Sequence, residues 1–148
     1  MSQRNVEIVR RVLDAFNRGD LDAMLHNHAP DAVWDWSNSR GLDPGVFRGH
    51  GEIRAFAAER FLETFDEVRV ELDDPMEVED GVLIAENVAY FRGRDGIETQ
   101  ARSALLITIR DGKQTSVTLY QTKQEALEAL GLSEKDARSP SRAVRRSW

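Results

Sequence analysis

Apolar and polar residues alternate most regularly in the second half of the chain, where they predict an antiparallel sheet. Residues 68–72 place an apolar side chain at every second position, which is the period of a strand with one buried face. Three longer runs follow, and each is preceded by an Asp-Gly pair, which favours a tight turn because Gly adopts positive φ at no steric cost. The pairs are Asp80-Gly81, Asp95-Gly96 and Asp111-Gly112. Together these features predict a four-stranded antiparallel meander.

The longest run, residues 97–110, differs in composition between its two faces. Its odd positions are mostly apolar, whereas its even positions begin polar and become apolar only at Ala104 and Leu106. A sheet packs its apolar face on helices, and a second apolar patch has to meet something other than water. We therefore expect the outer face of the sheet to form a homodimer interface.

The N-terminal part follows the period of helices. Five apolar residues recur at helical spacing before Gly19, which is placed to end the first helix, and Asp20 is placed to cap the second. The second helix is short, carries His28 on its apolar face and ends at Pro30. The apolar residues of the first helix are Val6, Val9, Val12, Leu13 and Phe16. Both helices thus have an apolar side to pack against the sheet.

A short strand and a third helix follow these two helices. Residues 31–37 alternate, with Trp34 and Trp36 on one side and Asp35 on the other, and residues 37–49 form a loop rich in Gly, Ser and Pro. The third helix again shows apolar residues at helical spacing. They are Ile53, Phe56, Ala57, Phe61 and Phe65.

The order of these elements predicts an α+β fold. A short helix at residues 124–130 ends at Gly131 and closes a domain of residues 1–132, whereas residues 133–148 lack an apolar period and are expected to form a basic, mobile tail. A strongly twisted sheet wrapped over helices forms a cone. We therefore predict three N-terminal helices packed on a strongly curved, mainly antiparallel sheet that encloses a pocket.

Charge and composition narrow the classes of partner. The net charge is −6, with +3 on residues 133–148 and −9 on the remainder, which argues against a nucleic-acid binder. No apolar run approaches the roughly 20 residues that span a bilayer, and the N-terminus lacks a signal-peptide core, so we expect no membrane association and a cytoplasmic protein. The chain has no cysteine and only 3 scattered histidines, so we predict neither a metal site nor a cofactor.

Six segments of the chain carry a pattern that is typical of one known family. They are Phe16-Asn17-Arg18-Gly19-Asp20-Leu21-Asp22, His28-Ala29-Pro30-Asp31-Ala32-Val33-Trp34, Phe47-Arg48-Gly49-His50-Gly51-Glu52-Ile53, Arg110-Asp111-Gly112-Lys113, Tyr120 and residues 125–132. With these segments the chain resembles the NTF2-like superfamily over about residues 5–132, and most closely its SnoaL-like branch. The resemblance implies a cone-shaped α+β fold, often a dimer, and a pocket for an organic molecule. Members include ketosteroid isomerases, polyketide cyclases, epoxide hydrolases, dehydratases and non-catalytic binding proteins, so the resemblance does not settle the activity.

The resemblance does not extend to the residues of a ketosteroid isomerase. Such an enzyme would have a tyrosine at Val12, an aspartate base at Trp36 and a second acid near Ala104 or Leu105. An oxyanion hole needs hydrogen-bond donors aimed at the developing charge, which these apolar residues cannot supply. We therefore exclude ketosteroid isomerase activity.

Asp35 is the candidate for acid–base catalysis. A carboxyl group that is turned into an apolar cavity is a usable general acid or base, and Asp35 lies between two tryptophans. The alternative is a solvent-facing strand residue, because its parity is opposite to that of Trp34 and Trp36. We predict that Asp35→Asn abolishes turnover if the residue is catalytic.

Nine residues are candidates for ligand contact. Aromatic and aliphatic side chains are expected to form an apolar wall, and a few polar groups to bind the polar end of a ligand. Arg102 or Tyr120 would face the cavity if the even-numbered positions of the strands point inward, and Gln121 would face it if the odd-numbered positions do. The candidates are Phe16, His28, Trp34, Trp36, Phe56, Arg102, Leu105, Tyr120 and Gln121.

Three functional hypotheses remain open. The protein is a cofactor-free enzyme that isomerises, cyclises, hydrates or hydrolyses a small apolar organic molecule, a non-catalytic protein that binds such a molecule, or an interaction scaffold with a vestigial pocket. A titratable group inside the cavity favours the first hypothesis, and a closed apolar cavity favours the second. A filled cavity with a conspicuous outer patch favours the third.

Overall fold

The structure is a computed structural model that describes residues 2–40 and 44–132 as four α-helices and a seven-stranded sheet. The predicted C-terminal tail, residues 133–148, lies outside the described residues. The helices are α1 Ser2–Asn17, α2 Leu21–His26, α3 Gly49–Ala57, which continues into a π-helical turn at Ala58–Leu62, and α4 Lys123–Ala129. The strands are β1 His28–Asp35, β2 Val46–Arg48, β3 Glu67–Leu72, β4 Met76–Glu79, β5 Val82–Arg92, β6 Glu98–Arg110 and β7 Lys113–Tyr120.

The sheet has the order β2-β1-β7-β6-β5-β3, and β4 pairs with β5 beside this path. Every pairing is antiparallel except that of β1 with β7, which is parallel. Helices α1–α3 pack against the inner face of this curled, unclosed sheet. The predicted α+β class and the meander of β3, β5, β6 and β7 are therefore confirmed.

The predicted boundary between α1 and α2 is found in the structure. Gly19 adopts a φ of 73° after the last turn of α1, a conformation that favours glycine at the end of a helix. The Asp20 carboxylate then accepts a hydrogen bond from the Ala23 N–H at 3.1 Å, which satisfies one of the free donors at the start of α2. These two residues set the turn that packs α2 beside α1.

The structure corrects two boundaries. The chain leaves α2 at His26, and His28 begins β1 rather than continuing the helix. The Asn27 carbonyl accepts a hydrogen bond from the Gln114 N–H of β7 at 2.8 Å, and this long-range contact brings the chain into the sheet. Within the predicted loop, residues 46–48 form β2 because they pair with residues 33–35 of β1.

The apolar residues on the outer face of β6 contact α4. A second, smaller core joins this helix to the outer side of the sheet, and Leu106 and Tyr120 pack against it. Its buried members are Val78, Ile84, Ala104, Ala126, Leu127 and Leu132. Because α4 covers part of this surface, Ala104 and Leu106 do not by themselves require a partner subunit. The homodimer stays a prediction.

Candidate functional site

A cavity of about 340 Å³ lies between the helices and the inner face of the sheet. This volume is at the lower end of the range of small-molecule pockets, about 300–1,000 Å³. Most of its wall is apolar, and α1, β1 and the long strands contribute to it. Among the residues that line it are Phe16, Trp34, Trp36, Leu105, Val117 and Leu119.

The structure identifies which parity of β6 faces this cavity. The odd positions from Thr99 to Ile107 line it, and at the exposed start of the strand Gln100 and Arg102 also contribute. Ile107 is only 1% exposed, whereas residues 97–102 are all exposed. The cavity therefore has a closed end near Ile107 and an open mouth near the start of β6.

An aromatic cluster forms one wall of the cavity. The rings of Trp34 and Trp36 stack with centroids 5.2 Å apart and an interplanar angle of 24°. Phe56 of α3 packs edge-on against both indoles and stacks on Phe47 at 4.0 Å. Phe56 is not among the residues that line the cavity, so it supports the two indoles from behind.

His28 lies beside the closed end, where it connects three elements. It is 2% exposed, and its Nδ1 lies 3.0 Å from the Met24 carbonyl, which can only accept. Its Nε2 lies 3.0 Å from the Trp34 Nε1, which can only donate. These partners require a neutral ring with its proton on Nδ1. Burial lowers the pKa of His28 from 6.5 to about 4, which keeps the ring neutral at physiological pH.

Gln114 is a polar residue of the cavity wall that the sequence pattern did not indicate. It is 1% exposed, lines the cavity, and donates through Nε2 to the His28 Nε2 at 3.2 Å. On β7 the inward residues Val117 and Leu119 have odd numbers, whereas Gln114 has an even one. The register with β6 advances from Thr108–Ser116 to Ile109–Gln114, so Thr115 is an extra residue. This β-bulge reverses the parity and brings Gln114 to the inner face.

Two of the predicted site residues face away from the cavity. Asp35 does not line it, and the Asp35 Oδ1 accepts hydrogen bonds from the Ser37 N–H at 2.9 Å and the Ser37 hydroxyl at 2.6 Å. Pairing with β2 on one side and β7 on the other keeps this part of β1 regular, so Asp35 stays opposite to Trp34 in parity. Tyr120 lies on the outer face and packs near α4. The condition for catalysis by Asp35, an inward orientation, is not met.

The mouth carries the cationic groups of the cavity. Arg40 and Arg102 both line it and are exposed. Within residues 2–40 and 44–132, Arg102 forms no ion pair. Gln121 also lines the mouth, and its Nε2 donates to the Asn38 carbonyl at 2.8 Å. The predicted residues Arg102 and Gln121 thus share one end of the cavity.

The lining contains polar groups but no acidic residue or histidine among the described residues. On the β5–β6 wall, the Ser103 hydroxyl donates to the Asn87 Oδ1 at 3.2 Å, and both residues line the cavity. The lining therefore suits hydrogen bonding and apolar contact.

The described residues also bear on two other kinds of site. Among them, no three His, Cys, Asp or Glu residues are grouped closely enough to hold a metal ion. No described helix is long and apolar enough to cross a membrane.

Solved structures share this fold over most of their length. A putative polyketide cyclase from Xanthomonas campestris is 27% identical, with a TM-score of 0.63, and the alignment covers 83% of this chain and 93% of that chain. TerC, co-crystallised with polyporic acid, has a TM-score of 0.68 at 19% identity and coverages of 92% and 99%. A Mycobacterium tuberculosis protein in complex with estradiol-17β-hemisuccinate has a TM-score of 0.69 at 12% identity and coverages of 81% and 95%. The last two comparisons concern the fold alone.

Sequence comparison identifies the family. Uncharacterized proteins from Mycobacterium tuberculosis and Mycobacterium bovis are 30% identical over 127 residues, which are 85% of this chain and 95% of theirs. The family model described as a SnoaL-like domain matches residues 9–117, a segment that runs from α1 to β7 and includes most of the cavity wall. The predicted resemblance is therefore confirmed, and the chain belongs to the SnoaL-like family.

Proposed function

We propose that this protein binds a small, mainly apolar organic molecule in the cone cavity and holds it without acid–base catalysis. The observation that carries this proposal is the composition of the wall: stacked indoles and aliphatic side chains enclose about 340 Å³, and no described lining residue is acidic or a histidine. A general acid or base has to lie within hydrogen-bond reach of the reacting atom. Apolar surface, in contrast, binds an apolar ligand through burial.

The two ends of the cavity suggest how such a molecule would be oriented. Its apolar body would lie against Trp34, Trp36 and Leu105, and a polar or anionic end would lie at the mouth near Arg40 and Arg102. Arginine suits this role because its guanidinium remains charged and offers several donors in a plane. Relatives of the same fold have been crystallised with polyporic acid and with estradiol-17β-hemisuccinate, and both compounds are suitable probes.

Isothermal titration calorimetry with these two compounds tests the proposal. We expect at least one to bind the wild type with a micromolar dissociation constant, and Trp36→Ala to weaken binding by about tenfold or more, because it removes a large aromatic contact surface. Tyr120→Phe is the matched control, since Tyr120 lies on the outer face. Equal weakening by both variants, or no binding of either compound, would contradict the proposal.

Asp35→Asn separates binding from the acid–base hypothesis. Because Asp35 faces away from the cavity, we expect this variant to bind the same probe within about twofold of the wild type. If a substrate is found and Asp35→Asn lowers its turnover by about two orders of magnitude, the scale of a lost general base, the non-catalytic account is wrong.

A further inference from the structure

One buried acceptor at the closed end of the cavity has no protein partner. Among the described residues, two buried side-chain atoms form no hydrogen bond, the Oε1 of Glu77 and the Oε1 of Gln114. Only Gln114 lines the cavity. A buried acceptor without a partner has lost its hydrogen bond to water and gained none in return, so a partner that can reach this atom is favoured.

The neighbours of Gln114 determine which end of its amide lacks a partner. The His28 Nδ1 donates to the Met24 carbonyl, so the Nε2 is the accepting nitrogen of that ring. The Trp34 indole and the Gln114 Nε2 both donate to it. A reversed amide would place the Gln114 Oε1 against this lone pair, and two acceptors repel. The Gln114 Oε1 is therefore the amide atom that lacks a hydrogen-bond partner.

The position of Gln114 makes its acceptor specific for the inner end of a ligand. Met24, Gln114 and Ile107 all line the cavity and are at most 1% exposed, whereas Arg40 and Arg102 at the mouth are exposed. Gln114 is thus separated from the arginines by the apolar wall. A ligand donor that reaches Gln114 must belong to the end of the molecule that enters first.

We propose that the Gln114 Oε1, oriented by His28, accepts a hydrogen bond from a hydroxyl group at the inner end of the bound molecule. The inference rests on the proposed function and adds the chemical class of the ligand: a mainly apolar molecule with a hydroxyl at its inner end. A carbonyl at that end is disfavoured because it would place an acceptor against an acceptor. A methyl group is disfavoured because it leaves the Gln114 oxygen unsatisfied.

Two ligands of nearly equal shape test this specificity. 2-Naphthol carries a hydroxyl where 2-methylnaphthalene carries a methyl group, and calorimetry or competition against 2-naphthol gives both dissociation constants. We expect the wild type to bind 2-naphthol about tenfold more tightly, the scale of one buried hydrogen bond. Equal binding, or tighter binding of 2-methylnaphthalene, overturns the inference but leaves the proposed function intact. Failure of both compounds to bind contradicts the proposed function, and this inference with it.

A matched pair of variants assigns the preference to Gln114. Gln114→Met keeps the length of the side chain without its acceptor, so the preference for 2-naphthol should fall to about twofold or less while 2-methylnaphthalene still binds. Gln124→Met makes the same exchange at an exposed position of α4 that does not line the cavity, and it should keep the preference. A preference that persists in Gln114→Met overturns the assignment. If this variant does not fold, a crystal structure of the wild type with 2-naphthol decides, because the hydroxyl oxygen should lie about 3 Å from the Gln114 Oε1, the distance of a hydrogen bond; a hydroxyl out of reach of this atom overturns the assignment.

Discussion

At the scale of single residues, His28 links the fold to the cavity. Its ring accepts hydrogen bonds from the Trp34 indole N–H and the Gln114 amide, and it donates one to the Met24 carbonyl of α2. All of these contacts use the neutral ring. The two residues that are oriented by His28 both line the cavity, so protonation of this ring would disturb the wall as well as the fold.

This geometry predicts a stability that depends on pH between about 4 and 6.5. Burial lowers the pKa of His28 in the folded state to about 4, so between these values the unfolded chain binds more protons than the folded chain. Stability contributed by His28 is therefore present above pH 6.5, falls as the pH is lowered toward 4, and changes no further below it. The full effect is about 3 kcal/mol.

Urea unfolding from pH 4 to pH 7.5 measures this dependence. Other groups also titrate in this range, so the decisive quantity is the difference between the wild type and His28→Gln. That difference should shrink toward low pH. The control is His26→Gln, which makes the same exchange at an exposed position outside the hydrogen bonds of His28. Parallel curves for the wild type and His28→Gln would show that His28 titrates normally.

At the scale of elements, local patterns predicted the helices and the long strands. Contacts between distant segments determine the start of β1 and the bulge in β7, which local patterns did not predict. The Asp-Gly turns, the Gly19 end of α1 and the alternation in β6 depend on neighbouring residues, and the structure has them. The entry of His28 into β1 depends on pairing with β7, more than 80 residues away. The bulge at Thr115 likewise depends on register with β6. These two features place His28 and Gln114, so the polar groups at the closed end of the cavity could not be predicted from periodicity.

The turns offer a matched test of backbone strain. Gly81 and Gly112 have similar positive φ values, 74° and 76°. A Cβ at Gly112 would meet no atom within 4 Å, whereas a Cβ at Gly81 would lie 2.7 Å from the Ile109 carbonyl oxygen. The left-handed conformation costs an alanine about 1–2 kcal/mol. We expect this loss in Gly112→Ala and a clearly larger loss in Gly81→Ala, measured as the free energy of unfolding. Equal losses would contradict the steric argument.

At the scale of the whole molecule, residue 132 is the predicted domain boundary. Leu132 is 6% exposed and belongs to the core beneath α4. Truncation after this residue should therefore leave the melting temperature within about 5 °C of the full chain, a shift near 1 kcal/mol for a domain of this size. Truncation after Leu130, which also removes Leu132, should lower it further. A large loss in the first truncation would show that residues 133–148 stabilise the fold.

The homodimer is a separate prediction for the outer face of the sheet. The strand pairing puts Thr118 of β7 opposite Leu106 of β6 on that face. Sedimentation equilibrium at micromolar concentration should give a dimer for the wild type. Thr118→Lys should shift it toward the monomer, because a charge at an apolar interface is costly to bury. A monomer mass for the wild type would refute the prediction.

The central claim, that the cone cavity holds an apolar organic molecule, is tested most directly by locating a bound probe. Nuclear Overhauser effects between estradiol-17β-hemisuccinate and the isotope-labelled protein report which protons lie within about 5 Å. The account predicts contacts from the probe to the side chains of Trp36, Leu105 and Leu119, all of which line the cavity. Contacts confined to Tyr120 and α4 on the outer face, or no contacts under conditions where the probe binds, would contradict it.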